Sequence, residues 1–296
     1  MTYFLNTRTS AVGGDVASQV TVLQVTNINI ATGAPPPAMT IVSPANLVRD
    51  INGKNVFLGT HGFLVNQADG ILSLGNWGTL LQLSGSSIFV GILWPGDSAW
   101  LGALCYPAEG QHAIQAGNLL SKFIDAYFGG AASVAFASHS LGARVLLQTV
   151  AGLSTHIKQI TLMAGAINDD CLVKEYSAAA QKVPRISILA SAKDDVLAAA
   201  FPIGNIFEGI IDSSHPYWDS AIGRKGPSTP IPSSIQGPWQ IPDDWKYGHH
   251  HYIEKDPEPN PPITAPQDVP AQGTPPPRPD KWQPAWSAAL VSTRAK

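Results

Sequence analysis

The chain has 296 residues, of which 44% are hydrophobic and only 13% are charged, and its formal net charge is −3 at pH 7. This length and apolar fraction suffice for one large core or two modest ones. The weak charge excludes a basic face for nucleic acid and a polybasic membrane anchor. No apolar run approaches the roughly 20 residues that span a bilayer, and the first residues lack a signal-peptide pattern. We therefore expect a cytoplasmic protein that acts on a small or neutral molecule, and its oligomeric state stays open.

Strand-like and helix-like segments alternate along the first two thirds of the chain. A period-two pattern at residues 19–30 predicts an antiparallel strand near a sheet edge. Short apolar runs predict further strands at residues 55–60, 87–94, 133–138, 157–165 and 185–191. Helical spacing separates them at residues 68–83 and 109–128, from residue 141 onward, and near residues 171–180. This alternation predicts an α/β fold with a mostly parallel central sheet and helices on both faces.

The pattern loosens after about residue 198. Residues 198–247 are rich in Pro, Gly, Trp and Tyr without a clear period, which is typical of an irregular cap or insertion over a pocket. Residues 257–296 form a Pro-rich C-terminal extension, whose prolines favour an extended polyproline-like course. We expect a main domain at residues 1–256 followed by this extension. Cys105 and Cys171 lack a zinc-binding or disulfide spacing and are interpreted as buried free thiols.

A Ser-His-Ser-Leu-Gly corner joins a predicted strand to a predicted helix in VAFASHSLGARVLLQTV, residues 134–150. The spacing matches the G-x-S-x-G nucleophile elbow, with Ser138 in place of the first glycine and Gly142 at the second. Small residues are needed at both positions because larger side chains would collide across the tight turn. The strained corner, which costs about 1–3 kcal/mol, and the helix N-terminus beside it favour a reactive Ser140. A serine that only caps the helix is the alternative.

Four further motifs occur in the chain order that such an elbow requires. With the corner, they are FLGTHGFLVN, GILWPGDSAW, ISILASAKDDVL and YGHHHYIEKDPE. Together they make the chain resemble the α/β-hydrolase superfamily, particularly its lipase and esterase-like members, over residues 56–254. The resemblance implies an α/β-hydrolase fold, a serine hydrolase activity and no metal or organic cofactor.

The resemblance also implies a role for individual residues. Ser140 is then the nucleophile, Asp194 the acid and His249 the base of a catalytic triad. The backbone N–H groups of Phe63 and Leu141 are the implied oxyanion donors.

Several of these assignments have competitors. Asp195 competes with Asp194, and the Asp-Asp pair is also a plausible helix cap. His250 and His215 compete with His249, and the run of three histidines could alternatively bind metal, although no carboxylate or thiolate stands at ligand spacing. No obvious final strand precedes His249, so we expect that part of the sheet to be short or displaced.

Two aromatic residues are candidates for the wall of the pocket. His61 and Trp94 follow the strands at residues 55–60 and 87–94, where a pocket would open. For His61 we favour a hydrogen-bonded loop residue that shapes the turn, and the Trp-Pro-Gly sequence at Trp94 is also ordinary turn chemistry.

The function that we predict is hydrolysis of a small carboxylic ester through an acyl-enzyme. An acyltransferase or thioesterase would use the same residues. A noncatalytic binding module with a Pro-rich tail, a ligand for an aromatic groove in a partner protein, is the alternative from a different class.

Overall fold

A computed structural model describes most of the chain, at residues 1–28, 37–81, 83–97, 106–199, 220–235, 239–243 and 247–253. Much of the predicted cap and the whole Pro-rich extension lie outside these ranges, so the cap over a pocket and the extended course of the tail remain predictions. Within these ranges no helix is long and apolar enough to cross a membrane.

The described residues form an eight-stranded sheet. Its strands are β1 (Thr2–Arg8), β2 (Val16–Thr26), β3 (Ala38–Val42), β4 (Asn55–Thr60), β5 (Ser87–Leu93), β6 (Ser133–His139), β7 (Ile157–Met163) and β8 (Ile186–Leu189). They are ordered β3-β2-β1-β5-β4-β6-β7-β8 across the sheet. Strand β2 pairs antiparallel with both of its neighbours, and every other pairing is parallel. The predicted α/β class with a mostly parallel sheet is confirmed.

Helices cover both faces of this sheet. They are α1 (Pro44–Ile51), α2 (Gln67–Leu80), α3 (Tyr106–Tyr127), α4 (Gly142–Gly152), α5 (Ser177–Lys182), the short α6 (Ile222–Lys225) and a single 3-10 turn (His249–His251). A Cβ on Gly59 would lie 2.5 Å from the Trp77 ring of α2, whereas the next residue, Thr60, contacts Gly142 at the start of α4. Because successive strand residues point to opposite faces, α2 and α4 lie on opposite sides of the sheet.

The central strands are buried on both faces, which explains their continuous apolar sequences. Val56, Phe57 and Leu58 of β4 are each at most 1% exposed. On the α2 face Phe57 packs edge-on against Trp77, with ring centroids 5.7 Å apart. The core therefore holds β4, β5 and β6 rigidly, and their carboxyl ends carry the site described below.

Several elements differ from the sequence-based expectation. Strand β1 was not predicted, although it pairs in parallel with β5 near the middle of the sheet. The antiparallel strand predicted near a sheet edge at residues 19–30 is β2, which lies next to the edge, whereas the edge strand β3 and the helix α1 after it were not predicted. The helix expected near residues 171–180 is mostly a series of turns, followed by the short α5.

The last part of the sheet is short and interrupted, as expected. Beside β8, the chain forms isolated parallel bridges at Ile235 with Ile186 and at Gln240 with Ala190. Residues 227–242 contain five prolines, which cannot donate the hydrogen bonds of a continuous ladder. This interrupted partner of β8 leads the chain to the segment that contains His249.

Candidate active site

Ser140 stands at the corner between β6 and α4 in a strained conformation. Its φ is 53°, in the left-handed region that a residue other than glycine enters at a cost of about 1–3 kcal/mol. Its N–H donates to Met163 O at 3.0 Å, and its carbonyl accepts the N–H groups of Ala143 and Ala166 at 3.0 and 3.1 Å. These three backbone bonds fix the corner and offset the strain.

The residues that flank the corner differ in how much space they have. A Cβ on Gly142 would lie 2.4 Å from the backbone oxygen of His61, so only glycine fits there without displacing the backbone. Ser138 is fully buried, and its Oγ has no hydrogen-bond partner within the described part of the chain. The serine at this position is tolerated on steric grounds and forms no bond that the corner requires.

The helix-cap interpretation of Ser140 does not hold. Helix α4 has Leu141 as its N-cap, without a side-chain capping bond. The Ser140 hydroxyl instead lies 2.9 Å from His249 Nε2. The hydroxyl is therefore hydrogen-bonded to an imidazole rather than to the helix backbone.

His249 lies between a carboxylate and the Ser140 hydroxyl. Its Nδ1 is 2.8 Å from Asp194 Oδ2, and its side chain is 6% exposed. Because an ionised carboxylate only accepts hydrogen bonds, Nδ1 donates to Asp194 and leaves Nε2 free to accept the Ser140 proton. The chain thus brings together a serine hydroxyl, an imidazole and a carboxylate from three separate segments.

Asp194 makes the contacts that both of the alternatives suggested by the sequence require. Its Oδ1 accepts the Leu197 N–H at 2.9 Å and caps the helical turn that follows, while Oδ2 binds His249. Asp194 is fully buried, whereas the neighbouring Asp195 is exposed. The geometry therefore favours Asp194 over Asp195.

The competing histidines are less suitably placed or not described. His250 is exposed, and its ring stands edge-on to His249 at 5.5 Å. His215 lies outside the described residues, as does the side chain of His251. Within the described ranges no three His, Cys, Asp or Glu side chains gather as a metal-binding group. Cys171 is buried as a free thiol, and Cys105 is outside these ranges.

Of the two predicted oxyanion residues, Leu141 adjoins Ser140 in sequence, and Phe63 follows a glycine that touches it. Leu141 is in helical conformation at the N-terminus of α4. On the other loop, a Cβ on Gly62 would stand 2.8 Å from Ser140 Cβ, so the chain before Phe63 touches the corner. The Leu64 N–H donates to Gly96 O at 2.6 Å and attaches this loop to the segment after β5.

His61 and Trp94 hold these two loops together. The Trp94 N–H donates to His61 Nε2 at 3.3 Å, and the indole N–H donates to the His61 backbone oxygen at 2.9 Å. Their rings stack at 5.7 Å, and they are 2% and 0% exposed. These contacts fit the loop-shaping role that the sequence analysis favoured for His61 and the turn role offered for Trp94, and they do not support the alternative of a pocket wall.

The burial of His61 predicts that the protein loses stability on mild acidification. Burial lowers the pKa of His61 to about 4, and its Nε2 accepts a hydrogen bond that the protonated ring could not accept. A histidine in the unfolded chain has a pKa near 6.5, so between pH 6.5 and 4 the unfolded state binds more protons than the folded state. The free energy of unfolding should fall as pH falls through this window, by at most about 3 kcal/mol from His61.

Urea unfolding of the parent and of a His61→Gln variant at pH 7 and pH 5 measures this contribution. The variant should show a smaller loss of unfolding free energy between the two pH values than the parent. His156→Gln is the matched control for the change of residue type, because His156 is exposed. Equal pH dependence in the parent and the His61→Gln variant would contradict the assignment.

Arg8 is a residue of the site region that the sequence analysis missed. It ends β1, and its fully buried guanidinium pairs with Asp97. The same guanidinium donates to the backbone carbonyls of five loop residues, Ser10, Ala11, Gly13, Val65 and Trp94. The sequence offered only a weak signal, an arginine at the end of the short segment TYFLNTR. Arg8 thereby joins the loop that contains Phe63 to the loop after β5.

Comparison with known proteins gives the family. Residues 43–228 match the family described as "Alpha/beta hydrolase of unknown function (DUF900)". The chain belongs to this family. The matched residues of this α/β hydrolase include Ser140 and Asp194, whereas His249 follows them.

Two further comparisons add little to the family assignment. No curated protein matches this α/β hydrolase. One similar solved structure is carboxyl esterase 2 from the mycorrhizal fungus Tuber melanosporum, at 16% sequence identity and a TM-score of 0.28. The match covers 60% of this chain and 59% of the esterase. A likeness this distant carries no argument about activity.

Proposed function

We propose that this α/β hydrolase is a serine hydrolase that cleaves carboxylic esters through an acyl-enzyme. The proposed triad is Ser140, His249 and Asp194. The observation that carries the proposal is the continuous pair of hydrogen bonds, 2.9 Å from Ser140 Oγ to His249 Nε2 and 2.8 Å from His249 Nδ1 to Asp194 Oδ2.

In the proposed acylation step, Ser140 Oγ attacks the ester carbonyl carbon while His249 Nε2 takes the hydroxyl proton. The carbonyl oxygen becomes an oxyanion, and its proposed donors are the backbone N–H groups of Phe63 and Leu141. When the tetrahedral intermediate collapses, the C–O bond to the alcohol breaks and His249 returns its proton to the leaving oxygen. The product is an ester of Ser140 and a free alcohol.

Deacylation repeats the sequence with water as the nucleophile. His249 takes a proton from the water, whose oxygen attacks the acyl carbon, and then protonates Ser140 Oγ as it leaves. Asp194 stays ionised throughout, holds the Nδ1–H tautomer and stabilises the imidazolium that forms in each half-reaction. Its complete burial makes this stabilisation stronger than it would be in water.

The geometry around the corner supports preorganisation of this machinery. The strained Ser140 backbone is held by three hydrogen bonds, and the preceding loop lies against it because residue 62 is glycine. One oxyanion donor in a preorganised site contributes about 2.7–4 kcal/mol of transition-state stabilisation, so two such donors account for a large part of the rate enhancement. We also propose that the catalytic domain extends to about residue 256, since His249 belongs to the site.

The test compares three butyryl compounds of equal acyl chain: p-nitrophenyl butyrate, butyryl p-nitroanilide and a butyryl thioester. The proposal predicts turnover of the ester with a kcat/KM at least tenfold above that of either of the other compounds. A protein that hydrolyses the thioester or the anilide faster contradicts the ester assignment but keeps the serine mechanism. A purified, folded protein that hydrolyses none of them contradicts the proposed function.

A further inference from the structure

His139, the last residue of β6, is buried next to the proposed catalytic histidine, and the reaction described above does not use it. His139 is only 9% exposed. Its ring centroid lies 4.8 Å from that of His249 and 5.9 Å from that of Tyr252. The imidazole is therefore enclosed between the base and a buried aromatic ring.

The polar contact of His139 is with the main chain of His249. His139 Nε2 lies 2.8 Å from the His249 backbone oxygen. Since a carbonyl oxygen only accepts hydrogen bonds, His139 Nε2 carries the hydrogen and donates it. Burial, and next the proximity of His249, hold the pKa of His139 well below its usual value, so the ring is neutral at pH 7.

The described segment around His249 is held by side chains at several points. The Ser191 hydroxyl donates to the Tyr247 backbone oxygen. Tyr252 is fully buried and packs edge-on against Tyr247, with ring centroids 4.9 Å apart. The segment follows the interrupted partner of β8, and in the described part of the chain no regular strand pairing positions His249. The bond from His139 is the one of these contacts that acts on the backbone of His249 itself.

We propose that His139 is a positioning residue whose Nε2–H fixes the main chain of His249 and thereby sets the distance from the imidazole to Ser140. This inference rests on the proposed function of Ser140 and His249. His139 and Ser140 are consecutive at the rigid end of β6. Ser140 and the residue that holds the His249 main chain, His139, are therefore part of one rigid element. In this proposal, movement of the chain elsewhere does not change the distance between Ser140 Oγ and His249 Nε2.

Substitution by glutamine, leucine and asparagine separates this role from simple packing. Gln places an amide N–H where His139 has Nε2–H, Leu has a similar volume without a donor, and Asn is too short to reach the carbonyl. His139→Leu should lower kcat for p-nitrophenyl butyrate by about a hundredfold, with KM within about twofold, since misalignment by about 1 Å has this effect. His139→Gln should keep kcat within about fivefold of the parent.

The bond between His249 and Asp194 supplies a second readout that needs no substrate. In the parent, proton NMR should show the low-field resonance of the His249 Nδ1–H, and the resonance should persist in His139→Gln and be lost in His139→Leu. If the Leu variant fails to fold, His139→Asn takes its place in both measurements. A Leu variant with parental kcat and resonance, or a Gln variant impaired as strongly as Leu, would overturn the proposal.

The two readouts also distinguish this proposal from the proposed function. A parent protein that shows the resonance but hydrolyses no ester contradicts the esterase, while the NMR comparison of the Gln and Leu variants still tests the positioning role. A parent that hydrolyses esters while all three variants behave alike contradicts His139 alone.

Discussion

Replacement of Ser140 by alanine is expected to lower kcat/KM for p-nitrophenyl butyrate by about 10⁴- to 10⁶-fold, because covalent catalysis is lost while the rest of the site persists. Ser140→Ala should stay folded, since its Oγ bonds only to His249 among the described residues. His249→Ala should cause a loss of similar size. The double variant should be no worse than either single variant, because the two residues act as one unit.

Asp194→Asn is expected to lower kcat by about 10⁴-fold with little change in the fold. The asparagine carbonyl would take over the bond from the Leu197 N–H, which turns the amide NH₂ toward His249. An NH₂ group at that position forces the hydrogen of the imidazole onto Nε2, so the ring can no longer accept the Ser140 proton.

The residues that compete with Asp194 and His249 in the sequence, Asp195 and His250, provide the control variants. Asp195→Asn and His250→Gln change exposed neighbours with the same chemistry, and both should keep kcat/KM within about threefold of the parent. Circular dichroism and thermal denaturation establish that every variant is folded. A Ser140→Ala variant with parental activity, or an Asp195→Asn variant as impaired as Asp194→Asn, would contradict the triad.

Arg8→Met is expected to lower the free energy of unfolding by about 3–5 kcal/mol. The substitution leaves Asp97 buried without its partner, which is the most costly way to break a buried ion pair. It also leaves five loop carbonyls without the guanidinium donors. Since these carbonyls include that of Val65, activity should fall as well as stability.

A double-mutant cycle isolates the charge from the packing. Arg8→Met with Asp97→Asn should be less destabilised than Arg8→Met alone, because the neutral amide is cheaper to bury and still accepts the Gly13 N–H. Arg49→Met removes an arginine from an exposed ion pair and should leave the free energy of unfolding nearly unchanged. Urea unfolding measures the four proteins of the cycle, which include Asp97→Asn alone, and the Arg49→Met control. An Arg8→Met variant as stable as Arg49→Met would contradict the role of the network.

Much of the central sheet could be predicted because its strands are covered on both faces. Residues 55–60 read as a continuous apolar run, and β4 has those bounds. The elbow was readable for a different reason: a strand, a small-residue corner and a helix each have a local signature. Strand β1 was missed because seven residues that contain Asn, Thr and Arg show neither alternation nor a continuous apolar run.

The contacts of the site depend on tertiary structure and are less accessible from sequence. The resemblance of two motifs to the family's patterns selected Asp194 and His249, but only the fold shows that Asp194 is buried and that Asp195 is exposed. The role of Arg8 depends on carbonyls from two distant loops, at Val65 and Trp94. No spacing rule relates these residues, because they meet only where the carboxyl ends of parallel strands converge.

The measurement that tests the central claim most directly is labelling of the parent protein by an alkyl fluorophosphonate, followed by peptide mass spectrometry. Fluorophosphonates form a stable adduct with an activated serine, so the account predicts one adduct, on the peptide that contains Ser140, with simultaneous loss of ester hydrolysis. The Ser140→Ala variant should take no label. Ester hydrolysis that survives full labelling, or an adduct confined to a residue other than Ser140, would contradict the account.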